Sequence, residues 1–123
     1  LLRCGSVGIA MKPVELAFYA WFLKRRLEAK PPIRWTDSGL AEEFLGVYSD
    51  LFGRCTGEYE RIADALSAGM SKEYFESRKS RTNTALRKAL EGRAGQLYMI
   101  AAFGKRPQTR FGIALPVHNI VWK

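Results

Sequence analysis

Ser77 to Gly112 reads SRKSRTNTALRKALEGRAGQLYMIAAFGKRPQTRFG, and this stretch decides the fold. It contains a basic amphipathic segment, a pair of glycines, an apolar run, a basic tip and a second apolar run. Thr82, Ala85, Leu86, Ala89 and Leu90 recur at helical spacing, and Gly92 and Gly95 stop the helix. Leu97 to Phe103 is apolar, aromatic-rich and bounded by glycines, as a strand is. Residues 104–110 form a hairpin tip and Phe111 to Leu115 the return strand, which Pro116 ends. Between Arg78 and Arg110 stand nine Lys or Arg against one acid, Glu91, while the rest of the chain balances eleven bases with eleven acids. The whole formal charge of +8 is thus confined to about a quarter of the sequence. Confinement of this kind points to a polyanion-facing surface rather than to general solubility.

The remainder supplies a body for that surface. A chain of 123 residues with 47% apolar content makes one domain over residues 1–123 with a real core. No apolar run approaches the ~20 residues that span a bilayer, and Leu16 to Leu23 gives way at once to Lys24-Arg25-Arg26. The opening LLRCGSVGIAM lacks a secretory layout, and its start on Leu1 without Met suggests a segment of a longer protein. Val7 to Met11 suits a short edge strand. Pro13 is well placed at the first position of a helix, with Val14, Ala17, Phe18, Trp21 and Phe22 on one face, and Pro31-Pro32 stops it. Ile33 and Trp35 are expected to fold back as plugs. Thr36, Asp37 or Ser38 can cap a helix over residues 40–52 that buries Leu40, Phe44, Leu45, Val47, Tyr48 and Leu51. Glu58 to Ala68 is helical again, and Ser71 caps a further helix that either continues into Lys79–Glu91 or breaks near residues 77–80.

Several helices, then a basic helix, then a two-stranded hairpin give the element order of a winged helix-turn-helix. The fold class is therefore mainly α with a small β-hairpin, a winged helix-turn-helix-like single domain. In that architecture the last helix presents its polar face to the major groove, and the hairpin loop reaches the adjoining backbone. The residues expected to contact nucleic acid are Lys79, Ser80, Arg81, Asn83, Thr84, Arg87 and Lys88 on the helix, with Lys105, Arg106 and Arg110 on the hairpin. Arg and Lys neutralise phosphates and pair with guanine edges, Asn83 can read adenine, and Ser80 and Thr84 can donate to phosphate oxygens. General contact is favoured over sequence-specific reading, and DNA over RNA. The competing reading is a protein-interaction or homodimerisation module whose apolar surface is formed by Phe18, Trp21, Phe44 and Trp122.

Catalysis finds little support. His118 is the one histidine, Cys4 and Cys55 lack metal-ligand spacing, and neither Glu42-Glu43 nor Glu58 with Glu60 marks a shared acid pair. No cofactor, metal or catalytic residue is expected. The cysteines suit ordinary thiols of a reducing cytoplasm, with a Cys4–Cys55 disulfide as the alternative.

Four runs resemble a known family: Lys12 to Tyr19, Met70 to Phe75, Lys79 to Leu90, and Lys105 to Pro116 with its GxRPxTRxG hairpin. They are similar to the carboxy-terminal part of CRISPR-associated proteins from type III systems that carry a CARF domain. These are ring nucleases or accessory proteins related to the HEPN ribonucleases. The resemblance implies an ancillary domain of an antiviral defence protein, since cyclic-oligoadenylate binding and ring opening belong to an upstream Rossmann-like domain that has no counterpart here. A HEPN-like ribonuclease is the third reading. The HEPN signature places a His four to six residues after an Arg on a helix, and Arg110 and His118 depart from it in spacing and setting.

Overall fold

A computed structural model of the chain describes residues 2–4, 7–9, 11–90, 98–105 and 109–114. Its element order is β1 (Leu2–Cys4), β2 (Val7–Ile9), α1 (Pro13–Leu27), α2 (Leu40–Phe52), α3 (Gly57–Ala65), α4 (Lys72–Ala89), β3 (Ile100–Phe103) and β4 (Arg110–Ile113). The molecule is mainly helical, with one antiparallel hairpin before the helices and another after them. The expected edge strand at Val7 is one arm of the first hairpin, with Leu2 opposite Ile9 and Cys4 opposite Val7.

Helix α1 begins as its sequence dictates. Pro13 occupies the first turn, where its missing N–H is no loss, and Glu15 lies near the positive end of the helix dipole. At the other end the Lys30 N–H donates to Arg25 O and the Ala29 N–H to Arg26 O, which is the Schellman arrangement. The residue in the left-handed conformation is Ala29, at φ 56°, where glycine is usual.

The core assembles around Phe18, which has no exposed surface. Its ring stands 5.3–5.7 Å from those of Trp21, Phe22, Phe44 and Phe75, so α1, α2 and α4 meet at one side chain. Such pairs add about 0.5–1.5 kcal/mol each beyond the area they bury. Polar links at the rim fix the helices against one another. Glu43 Oε1 accepts from Trp21 Nε1 at 3.1 Å and from Arg25 at 2.7 Å, joining α2 to α1. The Tyr48 hydroxyl donates to Glu58 at 2.6 Å, joining α2 to α3.

The second hairpin pairs Ile100 with Ile113 and Phe103 with Arg110. Ile33, between α1 and α2, extends it on the far edge: the Ile33 N–H donates to Phe111 O at 2.8 Å and the Phe111 N–H to Ile33 O at 2.7 Å. Gly112 allows this approach, because a Cβ there would stand 3.3 Å from the Pro32 ring.

Several expectations need correction. Ile33 is a buried plug but Trp35 is 36% exposed, and Leu51 also faces solvent. None of Thr36, Asp37 and Ser38 caps α2, whose N-cap is Gly39 at φ 77°. Asp37 Oδ2 instead accepts from the Arg34 N–H and from Arg110. Helix α3 runs from Gly57 under a Thr56 cap and stops at Ala65, and α4 is unbroken from Lys72 to Ala89. Strand β3 begins at Ile100 rather than Leu97, and β4 starts at Arg110; Leu97 and Leu115 lie outside the described residues.

Two measurements check this account. Ala29→Gly removes the Cβ penalty of a left-handed residue, about 1–2 kcal/mol, against a somewhat smaller gain in unfolded-state freedom. The variant is expected to be more stable by about 0.5–1 kcal/mol in urea unfolding, and a less stable variant contradicts the assigned helix end. Burial pushes the Glu43 carboxyl up, but hydrogen bonds from Trp21 and Arg25 and the charges of Arg25 and Lys30 outweigh it, so its pKa is lowered. A carboxyl lowered on folding stabilises above its unfolded pKa, about 4.3, and loses that contribution as pH falls through the folded value. Glu43→Gln is therefore expected to flatten the acid-side fall in stability below about pH 4.3 and to leave the alkaline side unchanged.

Candidate nucleic-acid interface

Helix α4 is set by its cap: the Ser71 hydroxyl accepts the Tyr74 N–H at 3.0 Å and fixes the phase of everything after it. At 3.6 residues per turn, Phe75, Thr82 and Leu86 then face the core, and Leu90 follows them just past the helix end. The ten expected contact residues do not share one fate.

Asn83 is the clearest correction. It is 8% exposed, and its side chain is consumed by strand β3: Nδ2 donates to Ile100 O and Oδ1 accepts from the Ile100 N–H, both at 2.9 Å. Both ends of the amide are occupied by backbone, so none remains for an adenine edge. Lys79 is largely withdrawn too, with 16% of its side chain exposed. Its ammonium lies 3.7 Å from the centre of the Phe111 ring and 2.8 Å from Glu76, a cation–π contact capped by an ion pair. Arg110, half-buried, is held by Asp37 Oδ2 at 2.8 Å and by Pro32 O at 3.4 Å. Arg78, another base of the charged stretch, pairs with the buried Glu15 and covers the Tyr74 ring.

Of the other seven, six are described. Ser80, Arg81, Thr84, Arg87, Lys88 and Lys105 are all exposed. Among the described residues, none of the four cations in this group has an acidic partner. Arg81, Thr84 and Lys88 follow at intervals of three and four, so they stand above one another on one helix face. Arg106 lies outside the described residues.

Tertiary packing adds one residue to this face. Lys12, at the start of α1, is exposed and lines an open groove of about 570 Å³ together with Ser80, Arg81, Thr84 and Lys88, with Glu15 beneath. Nothing in the sequence relates Lys12 to a helix almost seventy positions away; only the contact of α1 with α4 does.

The apolar surface of the dimerisation reading is absent at the residues named for it. Phe18, Trp21 and Phe44 are 0–1% exposed and form the core, and Trp122 lies outside the described residues. Among the described residues no cluster of three His, Cys, Asp or Glu is placed to hold a metal ion, and no helix is long and apolar enough to cross a membrane. Cys55 is a free, exposed thiol, and His118 lies outside the described residues.

Comparison with protein-family models, curated proteins and solved structures yields no match. Fold and surface together define a class: a small, mainly helical α+β domain that displays a basic face on its longest helix.

The inward role of Asn83 has a direct consequence. Asn83→Ala leaves the Ile100 N–H and C=O without partners in a buried setting, at about 1–3 kcal/mol for each unsatisfied group. A total loss of about 2–4 kcal/mol is expected in urea unfolding, and a loss under about 0.5 kcal/mol would show the amide to be dispensable for folding.

Proposed function

We propose that the chain is an ancillary nucleic-acid-contacting domain of a CRISPR-associated protein, with a winged-helix arrangement in which α4 meets the nucleic acid and the β3–β4 hairpin is the wing. Duplex DNA is the favoured partner over RNA, through general rather than sequence-specific contact. The CRISPR link rests on the sequence resemblance, and the contact surface on the side chains.

The observation that carries the reading is the sorting of the cations. Of the surplus charges, Arg78, Lys79 and Arg110 are matched to acids, whereas Arg81, Arg87, Lys88 and Lys105 stand exposed without one among the described residues. Arg87 and Lys88 occupy the last turn of α4, where the helix dipole favours cations whatever the partner. Arg81 in mid-helix, Lys12 on α1 and Lys105 on the hairpin have no such internal reason. Cations from three elements that are unpaired among the described residues cost self-repulsion that a polyanion would relieve.

In this reading Arg81, Arg87 and Lys88 neutralise phosphates, while Ser80 and Thr84 donate hydroxyl protons to phosphate oxygens. Arg81 is also long enough to pair with a guanine edge. With Asn83 turned inward, no residue on the face is suited to read adenine, which favours backbone contact. The hairpin keeps its place beside α4 through Asn83 and the Lys79–Phe111 contact.

Binding of a short DNA duplex across a salt series tests this. Each lost phosphate contact lowers the slope of log affinity against log salt by about 0.9. The Arg81→Ala, Arg87→Ala, Lys88→Ala triple variant is expected to bind more weakly with a slope shallower by roughly 2.7. Wild-type protein that fails to bind duplex, or a triple variant with an unchanged slope, overturns the reading.

A further inference from the structure

A second cationic groove lies on the other side of α4. Lys72, Glu76 and Lys79 recur at intervals of four and three, nearly opposite Arg81, Thr84 and Lys88 on the helix circumference. Together with Arg34, Trp35 and Thr109 they line a groove of about 810 Å³ between α4, the 34–35 loop and the second hairpin. That volume falls within the range of sites that take small organic groups.

Trp35 is unusual in this setting. Tryptophans are mostly buried, and the indole N–H normally finds a partner. Trp35 is 36% exposed, packs against no other ring and makes no hydrogen bond among the described residues. Its backbone is nevertheless held in place. On one side the Arg34 N–H donates to Asp37, and the Asp37 N–H returns to Arg34 O. On the other side of Arg34, Ile33 is paired with Phe111 on strand β4. An aromatic plane is thus displayed from a fixed loop, at little cost in backbone order on binding.

The charges left unmatched around it are of one sign. Lys79 is neutralised by Glu76, which leaves Arg34 and Lys72 without an acidic partner among the described residues. A part-exposed indole lining one groove with two unmatched cations is the pairing that holds single strands: bases stack on the ring and phosphates meet the cations. The same chemistry suits an acidic peptide poorly, since carboxylates use the cations but not the ring.

We infer that this groove is a stacking site for an unpaired base of a nucleic-acid strand, with Trp35 under the base and Arg34 and Lys72 on the flanking phosphates. The inference rests on the nucleic-acid reading and extends it: the domain would hold a strand that is not fully paired, and would do so on a surface separate from Arg81 and Lys88. Stacking is tolerant of base identity, so no sequence preference arises at this site.

The probes are a thymidine homopolymer about a dozen nucleotides long, within the span such sites cover, an abasic strand of equal length, and a short duplex. Trp35→Ala is expected to weaken homopolymer binding on the order of 5- to 150-fold with an unchanged salt slope. Trp35→Phe, which retains a ring, should recover most of that loss. The Arg34→Ala, Lys72→Ala pair should make the single-strand slope shallower by roughly 1.4. The abasic strand should bind wild type about as weakly as the homopolymer binds Trp35→Ala. The stacking site is overturned if the homopolymer does not bind, if Trp35→Ala binds it as wild type does, or if the abasic strand binds equally well. The duplex measurement separates the two proposals. Trp35→Ala should leave duplex affinity unchanged, so loss of the stacking effect with duplex binding intact removes only this site. Stacking retained without any duplex binding removes only the role given to the Arg81 face.

Discussion

The Asn83 amide and the Ile100 backbone form the one contact on which the placement of the second hairpin against α4 depends. A hairpin as short as β3–β4 is marginal by itself and needs a surface to lie on. Ile100 is its first described strand residue, and Asn83 fills both backbone hydrogen-bonding positions of Ile100 from α4. The side chain thus behaves as a fragment of neighbouring strand mounted on a helix. It fixes distance and orientation together, as one hydrogen bond would not. The Lys79 ammonium on the Phe111 ring adds a second fastening one turn earlier on α4 and on the paired strand β4. Two fastenings on two strands leave the hairpin little freedom to pivot against the helix.

That arrangement explains how the charges divide. A cation drawn beneath the hairpin or against the core loses water and must recover it from a carboxylate, a carbonyl or a ring face. Arg78 meets Glu15, Lys79 meets Glu76 and Phe111, and Arg110 meets Asp37 and Pro32 O. Cations on the outer faces are under no such constraint, and Arg81, Arg87, Lys88 and Lys105 are exposed. The local excess of charge in the sequence therefore has two components. One part belongs to the architecture and the other faces solvent.

The sequence disclosed the parts that periodicity and punctuation control. Pro13 and Pro31-Pro32 mark α1, the aromatic stripe from Phe18 to Phe22 identifies its buried face, and the glycine-bounded apolar run announces β3. What it did not disclose turns on partners remote along the chain. On the helix circumference Asn83 lies between Leu90 and Arg87, at the border of inside and outside, and only the arrival of β3 makes the position interior. Asp37 has the right chemistry for an N-cap, yet its carboxylate is taken by Arg110, seventy-three positions later. Trp35 looks apolar enough to bury, but Ile33 is the residue drawn inward by pairing with Phe111. The strands Leu2–Cys4 and Val7–Ile9 are too short for alternation to reveal a hairpin.

The same remoteness bears on the two surfaces of α4. Lys79 belongs to the groove beside Trp35, yet it also fastens β4 through Phe111. Asp37 orients the 34–35 loop that displays Trp35, and it anchors Arg110 at the start of β4. The loop, the hairpin and the first turns of α4 are consequently one mechanical unit, with the indole held on it. Arg81 and Lys88 lie across the helix from that unit, beside Lys12, and no hydrogen bond or ion pair among the described residues joins them to it. Substitutions on one surface should therefore leave the other nearly undisturbed, because sites without shared partners combine additively. Under the two proposals made above, this independence would let one helix engage a paired and an unpaired strand without either contact weakening the other.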